Sequence, residues 1–204
     1  MMEGLEATIK KKKEMKIEVL SHRLFDEKMR DMNLDDSNIE NTNIVCISII
    51  GTEECLKYYL DEGDTKHYFE NHPNVLNLDF DDISTDVEYD GHIFRAMTME
   101  QAENSVDFIE KVIESWPNTI YIHCRAGYSR SRAVAEFIYR YCVEHHIEVE
   151  YADRNDYSTF LNQGVLRRLN NAYWKKHKEN GYDEEGKGYP EDLLDHTPRH
   201  IEVD

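Results

Sequence analysis

The stretch Thr119-Ile120-Tyr121-Ile122-His123-Cys124-Arg125-Ala126-Gly127-Tyr128-Ser129-Arg130-Ser131 contains the boundary between two patterns of secondary structure. Its first four residues are β-branched or aromatic and predict a buried strand. Beyond the stretch, apolar residues recur at the spacing of an amphipathic helix, at Val134, Phe137, Ile138 and Tyr141. The segment between the two patterns therefore joins the end of a strand to the start of a helix.

This connecting loop has the features of an anion site. A helix N-terminus carries roughly half a positive charge and unpaired N–H groups, and Gly127 allows the backbone to curl those groups inward. We expect such a ring to favour the thiolate of Cys124 at its floor. Arg130 follows six residues later, and its planar guanidinium can hold two phosphate oxygens. Ser131 is expected to cap the helix and to donate a hydrogen bond to the sulfur.

The segment HCRAGYSRS resembles the signature of the cysteine-based protein tyrosine phosphatase superfamily, and its SRS ending is closest to the small dual-specificity branch. The resemblance implies that Cys124 is the nucleophile, Arg130 the phosphate clamp and Ser131 the thiolate helper. It also implies a substrate-binding cradle of backbone amides from Arg125, Ala126, Gly127, Tyr128, Ser129 and Arg130. His123 is too close in sequence to act on phosphate bound to its neighbour, so we assign it an orienting role.

The resemblance further implies an aspartate general acid in a loop well before the cysteine. In the run 75–83, apolar and polar residues alternate, and a strand ending near Phe80 would deliver the next residues to a loop. Similar phosphatases carry their acid at such a strand end. This position makes Asp82 the first candidate, ahead of Asp81, Asp79 and the later Asp86 and Asp90.

The remaining chain predicts an α/β domain with a mainly parallel central sheet, helices on both faces and the signature loop at the carboxyl end of a central strand. Residues 1–14 are predicted to be a flexible basic lead, 15–180 the catalytic domain and 181–204 an acidic, poorly ordered tail. The predicted strands are Ile17–Leu20, Asn43–Ile50 and Val75–Phe80. The predicted helices begin at a Ser21 cap, near Glu53, at a Thr98–Gln101 capping box and after Asn162.

Composition restricts the partners. The net charge of −18 disfavours nucleic acid and anionic membranes, so a phosphorylated protein or peptide is the expected substrate. The four cysteines lack paired spacing and no secretion signal is visible, which predicts a cytoplasmic protein without a disulfide framework or metal. The chemistry needs no cofactor.

Cys46, Cys55 and Cys142 are candidates to resolve an oxidised Cys124, although buried structural thiols are the favoured interpretation. Oligomeric state stays open.

Three functions fit the sequence. The leading hypothesis is a phosphatase of the protein tyrosine or dual-specificity type that forms a cysteinyl phosphate. The first alternative keeps this chemistry for a phosphoinositide, a nucleotide or an RNA 5′-phosphate, although Ala126 and Tyr128 are not the basic loop residues such substrates favour. The second is a phospho-binding pseudophosphatase, which would require the loss of a usable acid.

Overall fold

The computed structural model describes residues 15–59, 66–152, 154 and 160–179. The strands are β1 (Met15–Ser21), β2 (Ile44–Ile50), β3 (Val75–Asp79), β4 (Val87–Tyr89), β5 (His92–Phe94), β6 (Thr119–Cys124) and β7 (Val149–Glu150). The helices are α1 (His22–Asp31), α2 (Glu53–Tyr59), α3 (Met99–Glu114), α4 (Arg130–Glu144) and α5 (Gln163–Glu179), with a 3₁₀ turn at Ile39–Asn41. The predicted lead 1–14 and tail 181–204 lie outside the described residues.

The main sheet has five strands in the order β3-β2-β6-β1-β7, and every neighbouring pair is parallel. β6, which carries the cysteine, is the central strand. Its register places Cys124 opposite Ser21, the last residue of β1. The ends of β1, β2 and β6 therefore open onto one edge of the sheet, where parallel sheets place ligands. The predicted fold class is confirmed.

Helices cover both faces of this sheet because β6 is apolar on both. Ile120 and Ile122 belong to a large core with α3, α4 and α5. Tyr121 points into a second core that contains Phe25 and Met29 of α1. A strand buried on both sides is mainly apolar, as Ile120–Ile122 at the centre of β6 is.

The predicted helix starts are confirmed by their caps. Ser21 accepts a hydrogen bond from the Leu24 N–H, at 3.3 Å. Thr98 and Gln101 form the reciprocal capping box of α3. Each cap satisfies an otherwise unpaired N–H in the first turn, so the start of α1 and of α3 is defined to the residue.

An antiparallel hairpin of β4 and β5 was missed by the sequence analysis. Its two-residue turn is Asp90-Gly91, with φ values of 52° and 76°. Asp-Gly is a strong signal for such a turn, because both positions need positive φ. Asp90, one of the candidates for the general acid, is therefore a turn residue.

Among the described residues, no helix is long and apolar enough to cross a membrane.

Candidate active site

The signature loop, residues 123–131, turns sharply at Gly127. The φ of Gly127 is +75°, in the left-handed region that favours glycine. A Cβ atom at this position would lie 2.8 Å from the carbonyl carbon and oxygen of Leu20 in β1. Both the conformation and the close backbone contact therefore require glycine.

Two of the loop's carbonyl groups accept hydrogen bonds from residues outside the loop. The carbonyl of Arg125 accepts a hydrogen bond from the N–H of His22, at 3.2 Å. The carbonyl of Gly127 accepts one from Arg132 Nε, at 3.1 Å. At the start of α4, the N-cap Ser129 makes no side-chain capping bond. An uncapped helix end keeps its first N–H groups for another acceptor, which is what an anion site requires.

Cys124 lies at the floor of a cavity of about 400 Å³ and is only 2% exposed. Its Sγ lies 3.1 Å from the hydroxyl oxygen of Ser131, which is fully buried. The predicted contact between the two side chains is present. The predicted capping role of Ser131 is wrong, because α4 begins one residue earlier, at Arg130, and the Ser131 hydroxyl is directed to the sulfur instead.

Arg130 also lines this cavity and is 6% exposed. Its Nη1 donates a hydrogen bond to the carbonyl of Phe80, at 2.7 Å, which ties the guanidinium to the residue after β3. Its Nε is buried and has no hydrogen-bond partner among the described residues. Buried donors are rarely left unpaired, so this group marks a place for an acceptor such as a phosphate oxygen.

His123 is fully buried on the other face of the sheet. Its ring stacks on Phe25 with centroids 4.2 Å apart and meets His22 edge-on at 5.0 Å. Burial, followed by the nearby His22 and His67, holds the pKa of His123 well below its usual value of 6.5. The ring is therefore neutral at physiological pH, and its contacts are packing contacts on the face of the sheet opposite the cysteine side chain.

Asp82, the first candidate for the acid, lies against the signature loop. It lines the cavity together with Cys124 and Arg130. Its Oδ1 accepts a hydrogen bond from Ser129 Oγ at 2.7 Å and another from Asn162 Nδ2 at 2.8 Å. No described residue hydrogen-bonds its Oδ2. This arrangement suits a group that exchanges a proton with a substrate in the cavity.

Asp81 is fixed in a different role. It is 2% exposed, and its carboxylate accepts hydrogen bonds from the backbone N–H and hydroxyl of Thr52, both at 2.8 Å. A third bond comes from the N–H of Arg95, at 2.7 Å. Asp81 also lines the cavity, but both its oxygens are engaged by three donors from the segments that follow β2 and the hairpin.

Two other candidates for the acid, Asp79 and Asp86, have partners outside the cavity. Asp79 is exposed and pairs with His67, with 3.0 Å between Oδ1 and Nε2. Asp86 accepts hydrogen bonds from the Arg95 guanidinium at 2.7 Å and from the Ala96 N–H at 2.9 Å. Neither residue lines the cavity.

Several cavity residues were not identified from the sequence. They are Leu56, Ile83 and Phe94, which form an apolar wall of the cavity. The predicted Tyr128 also lines the cavity and is half-exposed. Phe94 belongs to the hairpin, so the Asp-Gly turn signal would have led to it. Asn162 was predicted only to precede a helix, and no local pattern connects it to Asp82, 80 residues earlier.

Cys55 shares the cavity with Cys124, whereas Cys46 and Cys142 are buried in the two cores. Burial, followed by the neighbouring Asp81 carboxylate, raises the pKa of Cys55 to about 11. Burial raises the pKa of Cys142 to about 12 and also raises that of Cys46. All three thiols are therefore protonated at neutral pH.

Comparison with known proteins gives only distant likenesses. No protein-family model matches the chain, and no curated protein matches it. Among solved structures, human tyrosine phosphatase-like serine/threonine/tyrosine-interacting protein matches with a TM-score of 0.35 and 18% identity, over 67% of this chain and 80% of that one. PTPMT1 matches with a TM-score of 0.38 and 14% identity, over 81% and 94%. PTPMT1 in complex with PI(5)P matches with a TM-score of 0.35 and 12% identity, over 79% and 94%. The chemistry of the site is therefore inferred from its own residues.

Proposed function

We propose that this chain hydrolyses phosphate monoesters through a cysteinyl-phosphate intermediate, as a phosphatase of the protein tyrosine or dual-specificity type. The proposal rests on the arrangement of side chains at the floor of the cavity. There, the Cys124 sulfur contacts the Ser131 hydroxyl beside an arginine whose buried Nε lacks a partner. A nucleophile, a helper for its departure and an anion clamp thus meet at the start of one helix.

In the first displacement, the Cys124 thiolate attacks phosphorus, so that a sulfur–phosphorus bond forms as the ester phosphorus–oxygen bond breaks. The Arg130 guanidinium and the loop amides stabilise the equatorial oxygens, where charge develops. Asp82 donates its proton to the departing oxygen, which leaves as a neutral alcohol or phenol.

In the second displacement, water attacks the cysteinyl phosphate. Asp82, now a carboxylate, takes a proton from that water while the sulfur–phosphorus bond breaks. The Ser131 hydroxyl stabilises the departing thiolate by a hydrogen bond, for which its 3.1 Å contact with Sγ is suited. Inorganic phosphate leaves, and both groups return to their starting state.

For the substrate, we propose a phosphotyrosine-containing protein in the cytoplasm. The apolar wall of Leu56, Ile83 and Phe94 suits the ring of an aryl phosphate. The acidic chain and the non-basic loop positions Ala126 and Tyr128 argue against polyanionic substrates. The contact of Asp82 with the loop argues against the pseudophosphatase alternative, which requires an unusable acid.

The experiment compares the wild type with Cys124→Ser and Asp82→Asn on a small aryl phosphate. Phosphotyrosine and phosphothreonine peptides, a soluble phosphoinositide and a 5′-phosphorylated RNA are assayed in parallel. We expect phosphate release by the wild type, no turnover by Cys124→Ser, and the highest kcat/KM on the phosphotyrosine peptide. Acid quenching of Asp82→Asn during turnover should trap phosphorus on Cys124, because loss of the base slows the second step.

Equal activity in the wild type and Cys124→Ser would overturn the nucleophile. Binding of the phosphopeptides without turnover would favour the pseudophosphatase. A preference for the phosphoinositide or the RNA would retain the chemistry and overturn the protein substrate.

A further inference from the structure

Asn162 joins three parts of the active site. Its Nδ2 donates to Asp82 Oδ1 at 2.8 Å, and its Oδ1 accepts from the N–H of Val165 at 3.1 Å. Its backbone N–H donates to the carbonyl of Ser129 at 3.3 Å, and its own carbonyl accepts from Leu166 at 3.1 Å. One buried residue thus connects the signature loop, the first turn of α5 and the acid segment, residues 79–86.

The start of α5 also lies directly against the segment that carries the acid. A Cβ atom on Gly164 would lie 2.8 Å from the Cα of Ser84 and 2.9 Å from its Oγ. This close approach leaves no room for a side chain at Gly164. The hydrogen bond from Asn162 to Asp82 is therefore made across a tightly packed junction rather than between two loose loops.

We propose that Asn162 is a positioning residue that determines which oxygen of Asp82 carries the transferable proton. Oδ1 already accepts hydrogen bonds from Asn162 Nδ2 and Ser129 Oγ. A proton on Oδ1 would compete with these two donors, whereas a proton on Oδ2 displaces none. The carboxyl group therefore keeps its proton on Oδ2, where it is available to the leaving group. This inference rests on the proposed function.

The residue type supports this role over simple helix capping. Serine, aspartate and asparagine are all good N-caps, because each offers an oxygen to the first turn. An aspartate has no donor and a serine presents a single short hydroxyl, whereas the amide accepts from the Val165 N–H through Oδ1 and donates to Asp82 through Nδ2. A capping residue alone would not need the second group.

The experiment uses Asn162→Ser, which keeps a capping oxygen but lacks the amide donor to Asp82. Asn162→Asp also keeps a capping oxygen, has no donor and adds a second carboxylate beside Asp82. Hydrolysis is measured on phenyl phosphate, whose leaving group needs protonation, and on an aryl phosphate with a more acidic phenol, whose leaving group needs it less. We expect kcat to fall by roughly tenfold on phenyl phosphate, part of the roughly 100-fold or larger contribution of a general acid. The loss on the second substrate should be several times smaller.

A double-mutant cycle with Asp82→Asn adds a readout that a purely structural role would not move. Once the acid is absent, replacing Asn162 should cause little further loss on phenyl phosphate, because its effect acts through Asp82. Thr98→Ala is the matched control. It removes the cap of α3, outside the cavity, and should lower thermal stability without changing the ratio of the two substrates.

Equal losses on both substrates, or losses that add to those of Asp82→Asn, would overturn the positioning role while leaving the phosphatase chemistry intact. Absence of Cys124-dependent hydrolysis in the wild type would instead overturn the proposed function itself. Melting temperatures of the Asn162 variants close to the wild-type value, together with the unequal losses, would support the inference.

Discussion

The signature loop and the acid segment, residues 79–86, contribute to the same cavity but are encoded differently. The loop is contiguous, so that Cys124, Gly127, Arg130 and Ser131 lie within eight residues of one another. The acid segment offers several chemically identical carboxylates within a few residues. Asp79 pairs with a histidine at the surface, Asp81 joins strands, and only Asp82 meets the signature loop. A short motif is enough to indicate a nucleophile, whereas a candidate proton donor can be distinguished from neighbouring carboxylates only by the residues that contact it.

The largest expected effect is in the contiguous region. Arg130→Lys retains a positive charge but loses the planar fork and the Nη1 bond to Phe80. We expect kcat to fall by about 100- to 1,000-fold, as when a transition-state donor is removed. Steady-state hydrolysis of an aryl phosphate measures this loss. A fall below about threefold would show that the charge alone suffices.

Substitutions in the acid segment should affect activity at one aspartate and stability at another. Asp82→Asn is expected to lower kcat by about 100-fold or more with little change in Tm. Asp81→Asn should instead cost about 1–3 kcal/mol of stability, because an amide cannot accept all three hydrogen bonds of the buried carboxylate. Asp79→Asn, at an exposed position, is the matched control. Kinetics and denaturant unfolding of the three variants test the assignment, and the reverse pattern for Asp81 and Asp82 would exchange their roles.

Two glycines with nearly the same φ allow the loop to be compared with the hairpin. Gly127→Ala combines a positive φ with a backbone clash at 2.8 Å, whereas Gly91→Ala has the positive φ with nothing within 4 Å of the added Cβ. We expect a loss of about 2 kcal/mol or more at Gly127 and about 1 kcal/mol at Gly91. Chemical denaturation measures both. Equal losses would mean that the contact with Leu20 relaxes.

The smallest effect concerns pH. His123 has a pKa well below 6.5 in the folded chain, so the unfolded chain binds a proton more readily below that pH. Its contribution to stability is complete above about pH 6.5 and is lost as the pH falls from there toward the folded pKa, with a slope of at most about 1.4 kcal/mol per pH unit. His22, His67 and Arg130 also disfavour its charge electrostatically. Unfolding measured between pH 7 and 5 should show a shallower slope for His123→Phe than for the wild type, and parallel slopes would contradict this origin.

Local patterns were sufficient for much of the fold. Ser21 and the Thr98–Gln101 box marked helix starts because capping depends on neighbours within a few residues. The strand Thr119–Cys124 was evident because a strand buried on both faces is rich in β-branched and aromatic residues, as its first four residues are. The hairpin was missed although Asp90-Gly91 carried a local signal for it. The helix start at Arg130 was misplaced by the capping role given to Ser131, whose hydroxyl is directed to the sulfur.

The sequence alone was enough to predict the strand-to-helix loop and the grouping of a thiol, an arginine and a glycine within it, because the motif is contiguous. The contacts of Gly127 with Leu20 and of Arg130 with Phe80 come from the fold. Only the tertiary structure distinguished Asp82 from Asp81 and brought Asn162 to it from 80 residues away. A carboxylate's role depends on which donors surround it and whether it is buried. Those donors come from the residues that follow β2 and the hairpin and from those that precede α4 and α5. Their placement results from the packing of the whole sheet, which no short stretch of chain contains.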